Sequence, residues 1–336
     1  MTTLSVVMPM WNVVENLPRV LPPLVAALRE RRVVEVVVVD DGSTDDSARQ
    51  CEAAGLRVIP SGGRLGPAGA RNVGARAVTG DAILFLDADV VMHDDVPARV
   101  AARFDARPDL VALFGAYDDR PAAPGIVSRY RNLLHHHVHV MNAGEASTFW
   151  VGCGAVRRAA LLAVGGFDAE RYRVPSIEDI ELGQRLRATG GRILLDPAIQ
   201  GTHLKRWSFA SMVRTDVLRR ALPWGRLLQA TPDVASALNV TMGERLRAVV
   251  ALALFGAAIA VLFRRSMLGP AFELLVVATL VNAPFYLLVA RRAGVVTAIA
   301  SLFLHQLYYV YGAATFAWCV VEKWLGFAPR ELTSGR

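Results

Sequence analysis

Cysteine is scarce in this chain of 336 residues. The three cysteines, Cys51, Cys153 and Cys319, lie far apart and show no spacing typical of a zinc site or a disulfide framework. The small number and wide spacing of the cysteines fit a protein of a reducing compartment. The sequence also lacks the charged and then apolar opening of a signal peptide, so we expect its soluble part to lie on the cytoplasmic side of a membrane.

Familiar nucleotide-binding motifs are absent as well. The Walker pattern with its lysine does not occur. The glycines of SGGRLGPAG stand at other offsets than in G-x-G-x-x-G. Both absences argue against kinases, ATPases and dehydrogenases.

A run of histidines, LLHHHVHV, lacks the further residues that a zinc site needs. It shows neither the H-E-x-x-H pattern nor a nearby cysteine. Its members are His135, His136, His137 and His139. We therefore favour an acceptor-side lining or an amphipathic segment at an interface over a metal site.

Basic and apolar residues are in excess. The chain has 37 Lys and Arg against 30 Asp and Glu, and 53% of its residues are hydrophobic, above the ~45–50% of typical soluble domains. The arginines are dispersed, and those near the C-terminus flank apolar runs. A membrane, and not a nucleic acid, is therefore the expected partner.

Three apolar runs after residue 245 are candidate membrane spans: Ala248–Phe263, Ala271–Ala290 and Val295–Val321. The first is short for a spanning helix, which needs about 20 residues, so we expect two or three spans. Three spans would place Lys323 and Arg330 outside, against the positive-inside bias. Two spans with an interfacial helix is the alternative.

A mixed basic and apolar segment precedes these runs. SMVRTDVLRRALPWGRLL has helical spacing, which predicts a helix at the headgroup surface beside anionic lipid, or else a surface helix packed on the preceding domain. We divide the chain into a domain at 1–210, interfacial helices at 211–245, a membrane region at 246–325 and a tail at 326–336.

Short apolar, β-rich runs alternate with helical patterns in the first domain. The strands are Ser5–Met8, Val33–Val39, Leu56–Ile59 and Ala82–Leu86, and the helices are Val14–Arg31, Thr44–Ala54 and Pro67–Val78. This alternation predicts an α/β fold, with a mostly parallel, Rossmann-like sheet and helices on both faces.

Polar side chains follow three of these strands. Trp11 comes after the first, Asp41 after the second, and Asp87 and Asp89 after the fourth. Ligands of such sheets bind beyond the carboxyl ends of the strands. An acid there often caps a helix, and Asp41 or Ser43 could cap the helix near Thr44. Two carboxylates gathered in a cleft nevertheless favour a hard divalent ion such as Mg²⁺ or Mn²⁺, which commonly bridges substrate phosphates.

Six segments in order resemble the family 2 glycosyltransferases with the GT-A fold. They are SVVMPMWN, VVVVDDGSTDDS, GPAGARNVGA, GDAILFLDADV, FWVGCGAVRRAALLAVGGFD and IEDIELGQRL, and they cover roughly residues 4–207. The resemblance implies a nucleotide-diphosphate sugar donor and a single inverting displacement.

The resemblance also implies donor-binding roles. Pro9, Trp11 and Asp41 would hold the nucleoside, although tyrosine is more usual at position 11, and Arg71 would lie near the base and phosphates. The resemblance gives two further acids a role in donor binding. Asp87 would face the ribose and the metal, and Asp89 would ligate the metal under the diphosphate.

The acids of PSIEDIELGQRL lie where a helix is expected to begin. The resemblance implies that Glu178-Asp179 supplies the general base on the acceptor hydroxyl, with Asp179 as the base and Glu178 in support. A plain capping arrangement with Ser176 is the alternative.

The segment GTHLKRWSF is the last candidate. His203 is a candidate third metal ligand, and Lys205 or Arg206 a candidate diphosphate contact, since cations stabilise the departing charge. Processive relatives carry Q-x-x-R-W here, and this chain keeps Arg206-Trp207 without the glutamine. A structural histidine and a membrane-interface anchor are the alternatives.

These features together predict a membrane-anchored, multi-pass, metal-dependent, inverting glycosyltransferase with its catalytic domain facing the cytoplasm. Its acceptor would be a hydroxyl of a lipid or lipid-linked molecule. A processive polysaccharide synthase, a polyprenyl-phosphate sugar synthase and an inactive membrane-tethered scaffold are the alternatives.

Overall fold

The computed structural model describes residues 1–230 and 241–327. They form two compact units: Met1–Asp118 with His139–Lys205, and Asp119–Val138 with the described residues of 206–327. The predicted domain boundaries stay predictions, and 231–240 of the predicted interfacial segment and 328–336 of the predicted tail lie outside the described residues.

The first unit is built on one sheet, which has nine strands in the described part of the chain. The strands are β1 (Leu4–Met10), β2 (Glu35–Asp40), β3 (Arg57–Pro60), β4 (Ala82–Leu86), β5 (Val90–Met92), β6 (Leu110–Tyr117), β7 (Gly144–Ala146), β8 (Cys153–Arg157) and β9 (Arg192–His203). Their order is β3-β2-β1-β4-β8-β6-β9-β5, and β7 pairs with β9.

The sheet has a parallel part and a mixed part. Strands β1 to β4 pair in parallel and correspond to the four predicted strands. Strand β8 is antiparallel to both β4 and β6, and β9 is parallel to β6 but antiparallel to β5 and β7. The predicted α/β fold class is thus confirmed, and the sheet as a whole is mixed.

Helices cover both faces of the parallel part. The helices of this unit are α1 (Leu17–Arg29), α2 (Ser47–Ala53), α3 (Gly66–Ala77), α4 (Val96–Ala106), α6 (Arg158–Ala163) and α7 (Glu178–Ala188). Because side chains alternate along a strand, Val6 and Met8 join a core with Leu17 of α1, whereas Val7 points to Gly74 of α3. A Cβ at Gly74 would collide with Val7, so glycine permits this close helix–sheet packing.

The second unit is helical. Helix α5 (Ile126–Met141) belongs to it up to Val138. Its other elements are α8 (Phe209–Arg214), a π-helix (Thr215–Ala221), α9 (Leu222–Ala230), α10 (Met242–Val261), a 3₁₀ turn (Arg265–Met267), α11 (Leu268–Leu280), α12 (Ala283–Ala293) and α13 (Val295–Trp324). One core joins Tyr130, Trp207, Met212 and Phe285.

Within the described ranges, α13 is the single helix that by itself is long and apolar enough to cross a membrane. The predicted run Ala271–Ala290 is not one straight helix, because Arg265–Leu280 and Ala283–Ala293 meet at 70°. Pro284, in the first turn of α12, accounts for the break: it lacks an N–H and disfavours helix before it. The two helices are long and apolar enough to cross a membrane only if they are counted together as one bent span.

Candidate active site

Three strand ends lie on one edge of the sheet. Strand β1 lies between β2 and β4 and is parallel to both. The residues that follow these strands, Trp11, Asp41 and Asp87, therefore share the carboxyl edge, where ligands of open α/β sheets bind. The structure places the strand-end candidates where the alternating pattern predicts them.

A buried arginine joins two of the candidate acids. Arg71 of α3 donates from Nη2 to Oδ1 of Asp87 at 2.7 Å and from Nη1 to Oε1 of Glu178 at 2.8 Å. The side chains of Arg71 and Glu178 are 4% and 6% exposed, and that of Asp87 is 32% exposed. Glu178 also accepts a 2.8 Å hydrogen bond from the backbone N–H of Ser176. A charge-assisted network therefore links the end of β4 to the start of α7.

The second acid of the D-A-D segment pairs with a histidine. Nε2 of His203, the last residue of β9, lies 3.4 Å from Oδ2 of Asp89. Strand pairing sets this approach, because Val90 is opposite His203 and the Leu204 N–H donates to the Asp89 carbonyl at 2.8 Å. The imidazole stacks on Tyr117, with ring centroids 4.1 Å apart and planes 7° from parallel.

The two aspartates differ in proton affinity. Loss of surrounding water raises the pKa of Asp87, and the charge of Asp89 raises it further, although Arg71 opposes both effects. Burial acts in the same direction on Asp89, but attraction to His203 and to Lys205 outweighs it and lowers the pKa of that carboxyl. Asp89 is thus held ionised, and Lys205 lies close enough to contribute.

Asp179 stands at the start of α7, next to Glu178. Its Oδ2 accepts from the Val151 N–H at 3.2 Å, and its Oδ1 from the Ile180 N–H at 2.9 Å. Burial, together with the charge of Glu178, raises the pKa of Asp179 to about 7. A carboxylate with this proton affinity suits a general base near neutral pH.

The alternative of a capping arrangement at this helix is wrong. Helix α7 begins at Glu178, its N-cap is Ile177, and no side chain caps it. Ser176 lies one residue too early for that position. The helix start is therefore organised by the Glu178 carboxylate and by its bond to Arg71.

Asp41 also does not cap the helix that follows it. Its carboxylate instead accepts from Ser61 Oγ and the Leu65 N–H, both at 2.8 Å, and from the Gly66 N–H at 2.9 Å. The start of α2 has Asp46 at the N-cap, without a side-chain cap. The buried Asp41 therefore fixes the loop that leads into α3, the helix that carries Arg71.

The aromatic residue after β1 is open to solvent. Trp11 is 43% exposed, and the Arg64 guanidinium carbon lies 3.5 Å from the centroid of its ring. Pro9 pairs with Val39 within the sheet and is partly buried. Neighbouring Asn12, which has a φ of 49°, accepts from the Thr44 N–H at 2.7 Å and ties this loop to the one after β2.

Two predicted donor residues are grouped with the second unit. Arg206 is exposed. The Trp207 side chain packs into the helical core, and its backbone N–H donates to Ser128 Oγ at 2.9 Å. Their roles on the donor stay predictions. In the histidine run, His139 bonds the Gly115 carbonyl at 2.8 Å in the first unit.

Sequence reasoning missed three residues that organise the site. Tyr117 orients His203 by stacking, and Trp150 meets the Tyr117 ring edge-on at 4.9 Å. Asn72 makes two bonds to the Phe167 backbone, at 2.7 and 2.8 Å, and so anchors the G-G-F-D loop. Asn72 and Trp150 had a sequence signal, because they lie within the quoted segments GPAGARNVGA and FWVGCGAVRRAALLAVGGFD, whereas Tyr117 had none.

The side chains at this edge of the sheet suit a hard metal cation. No group of three or more His, Cys, Asp or Glu side chains is arranged to hold a metal ion in residues 1–230 and 241–327. Asp87 and Asp89 nevertheless offer carboxylate oxygens from one strand end, and His203 adds an imidazole beside Asp89. Mn²⁺ accepts this mixture of ligands. The residues present therefore fit a divalent cation chemically.

Sequence comparison matches part of the chain to a known family. Residues 5–165 match the model of glycosyl transferase family 2. A pre-mycofactocin glycosyltransferase of Mycobacterium tuberculosis is 28% identical over 262 residues, which are 71% of this chain and 50% of that protein. An undecaprenyl-phosphate 4-deoxy-4-formamido-L-arabinose transferase of Klebsiella pneumoniae is 37% identical over 32% of this chain and 35% of its own length. The chain thus spans about half the length, or less, of these relatives.

Solved structures agree on the fold. A mannosyltransferase from Pyrobaculum calidifontis, solved with GDP-Man and Mn²⁺, has a TM-score of 0.55 at 18% identity and covers 97% of this chain and 88% of its own. Residues 1–349 of TarS from S. aureus, solved with UDP-GlcNAc, have a TM-score of 0.51 at 18% identity, covering 98% and 93%. Residues 5–165 thus match glycosyl transferase family 2, and the chain shares the GT-A fold of these solved structures.

Proposed function

We propose that this chain is an inverting, metal-dependent glycosyltransferase that moves a sugar from a nucleotide-diphosphate donor to a hydroxyl of a lipid or lipid-linked acceptor. One observation carries the proposal. Arg71 ties Asp87, at the end of β4, to Glu178 at the start of α7. This pairing brings the candidate donor-side acids and the candidate base Asp179 to one edge of the sheet.

The donor side is assigned to the strand-end residues. Asp87, Asp89 and His203 would hold the divalent cation, which when bound neutralises the departing diphosphate. Lys205, whose charge already acts on Asp89, would add positive charge beside the leaving group. Pro9, Trp11 and Asp41 would hold the nucleoside, where the exposed indole of Trp11 suits stacking on a base.

The acceptor side is assigned to Asp179. In a single displacement, its carboxylate accepts the proton of the acceptor hydroxyl while the hydroxyl oxygen attacks the anomeric carbon. The bond from that carbon to the diphosphate oxygen breaks, and the nucleoside diphosphate leaves. The pKa near 7 leaves it ionised in much of the protein at neutral pH and basic enough to take the proton. Glu178 supports the base through its bonds to Arg71 and Ser176.

A lipid acceptor is supported by the surface of the second unit. Large apolar side chains are exposed along α10 to α13, among them Phe263 at 83%, Phe272 at 66%, Phe303 at 69% and Trp324 at 83%. Exposed apolar side chains in this number are typical of a surface that contacts a membrane or another protein, and the composition of these helices favours the membrane. The Klebsiella relative is named for transfer to undecaprenyl phosphate, which supports a membrane lipid as the acceptor.

Transfer to a polyprenyl phosphate is a second candidate, which the name of that relative favours. A phosphate acceptor is already ionised and needs little help from a base. The role of Asp179 therefore separates the two candidates. An inactive scaffold has no physical need to keep Asp87, Asp89 and Asp179 together with Arg71.

Replacing Asp89 with asparagine tests the donor side. We expect the release of nucleoside diphosphate from donor sugars, with Mn²⁺ or Mg²⁺ in detergent, to fall roughly a hundredfold or more, because the cation loses a charged ligand. Metal-dependent nucleotide binding should weaken in parallel. Asp94→Asn, which changes an exposed carboxylate just after β5, is the matched control and should behave as wild type. The enzyme assignment fails if no donor is turned over and Asp89→Asn leaves metal and nucleotide binding unchanged.

The acid dissociation of Asp179 predicts a pH profile. Below pH 7 the carboxyl is increasingly protonated and is unable to accept the hydroxyl proton, so the rate of transfer should rise with pH and level off above about 7. The measurement is kcat for wild type on both sides of neutrality, at saturating donor and metal. A rate that is flat through this range would remove Asp179 from the role of base.

A further inference from the structure

A groove on α12 has a mixed apolar and basic lining. Its volume is about 490 Å³, and it is lined by Pro284, Leu287, Leu288, Arg291 and Arg292. Since positions three and four apart share one face of a helix, Leu287, Leu288 and Arg291 form a continuous stripe. Two arginines thus stand at one end of an apolar trough.

The two arginines differ in their partners. Arg292 Nη2 lies 2.6 Å from Asp119 Oδ2, and its side chain is 49% exposed. Arg291 is exposed and makes no salt bridge or hydrogen bond with the described residues. Arg291 therefore keeps all its donors for a ligand, whereas Arg292 has part of its charge balanced by Asp119.

The surroundings of these arginines are apolar and uncovered. Leu287 is 55% exposed, and Val295 and Val296, which begin α13 just after Arg292, are 66% and 73% exposed. A soluble anion would gain nothing from such a wall. An amphiphile with a negative head and a hydrocarbon chain satisfies both parts of the groove at once.

We propose that this groove binds an anionic phospholipid. Its phosphodiester would accept hydrogen bonds from Arg291 and from the exposed part of Arg292, and its acyl chain would run along Leu287, Leu288 and Pro284. Arginine suits this task because its planar guanidinium donates two parallel hydrogen bonds to phosphate oxygens. The inference rests on the membrane association within the proposed function, and it adds a lipid site that does not take part in sugar transfer.

Lipid binding by the full chain tests the site. The purified protein is mixed with vesicles of phosphatidylcholine alone, or of phosphatidylcholine with phosphatidylglycerol, and partitioning is measured by flotation. Arg291→Gln should reduce the preference for the anionic vesicles about tenfold, because it removes a charge-assisted hydrogen bond to the lipid phosphate, which is worth about 1.5 kcal/mol. Arg264→Gln is the matched control, because Arg264 is also exposed beside apolar residues but does not line the groove; it should keep the preference.

Several outcomes would overturn the site. An equal loss in Arg264→Gln would show a diffuse surface charge effect, and displacement of the protein by millimolar inorganic phosphate would show a site for free phosphate. Binding of added polyprenyl phosphate but not of phosphatidylglycerol would make the groove an acceptor site instead. If wild type floats with neither kind of vesicle, the membrane part of the proposed function fails together with the site. If it floats and Arg291→Gln matches it, only the groove inference fails.

Discussion

Asp179→Asn is expected to lower sugar transfer to a hydroxyl acceptor by roughly 10²–10⁴-fold, the usual worth of a positioned general base. The amide has the same shape, and its oxygen can keep accepting from the Val151 and Ile180 backbone N–H groups. It is, however, unable to take the hydroxyl proton. Donor binding should be unchanged, because the proposed function assigns Asp179 to the acceptor and not to the donor. Transfer is measured as formation of glycosylated acceptor, and donor binding by calorimetry with Mn²⁺.

Loss of folding would not explain such a result. The folded-state pKa of Asp179 lies above its ordinary value, so ionisation of this group costs stability as pH rises towards and through 7. Removal of the charge should leave the variant at least as stable as wild type above pH 7. Glu181→Gln, on the same helix turn but paired with Arg185, serves as the control and should retain transfer. Full transfer by Asp179→Asn to a hydroxyl would contradict the assignment, and selective retention with polyprenyl phosphate would favour the second candidate.

Arg71→Met is expected to be the most destabilising single change at the site. It leaves the buried Glu178 carboxylate unpaired and removes the partner of Asp87. Breaking a buried ion pair in this way costs about 3–5 kcal/mol. The lower end applies here, because about a third of the Asp87 side chain is exposed and solvent can compensate for part of the loss. The free energy of unfolding is measured by denaturant titration, and transfer should fall as well.

The matched control changes an exposed pair. Arg99→Met removes the partner of Asp95, in a pair whose side chains are 45% and 52% exposed, and should cost less than about 1 kcal/mol. If Arg71→Met proves as mild as Arg99→Met, the bridge between β4 and α7 does not hold these acids, and the account of the site loses its structural basis.

The local pattern of the sequence was sufficient to predict the parallel half of the sheet. Alternating β-rich runs and amphipathic helices predicted β1 to β4 and the helices between them, because each element buries a face that its own sequence sets. The acids after β2 and β4 then follow from the topology, since parallel neighbours end on the same edge. The position of Asp179 in the first turn of α7 is likewise a local feature.

The partners of these residues depend on contacts distant in sequence. Glu178 is 107 positions from Arg71, and no local pattern specifies that bond. The same holds for the stacking of Tyr117 on His203 and for the antiparallel strand β8 inserted between β4 and β6. A helix cap at Asp41 was the alternative that local sequence offered, whereas its carboxylate binds a loop 20 to 25 positions away. The predicted span Ala271–Ala290 missed the bend before Pro284, because it rested on the number of apolar residues and not on the backbone hydrogen bond that proline is unable to donate.

The most direct measurement of the central claim compares wild type with the double variant Asp89→Asn, Asp179→Asn. Each is incubated with a panel of nucleotide sugars, Mn²⁺ and a membrane lipid extract, and the lipids are examined by mass spectrometry. The account predicts a lipid that gains the mass of one sugar residue, with matching nucleoside diphosphate, in wild type only. The same product from the double variant, or no consumption of any donor by a well-folded wild type, would contradict it.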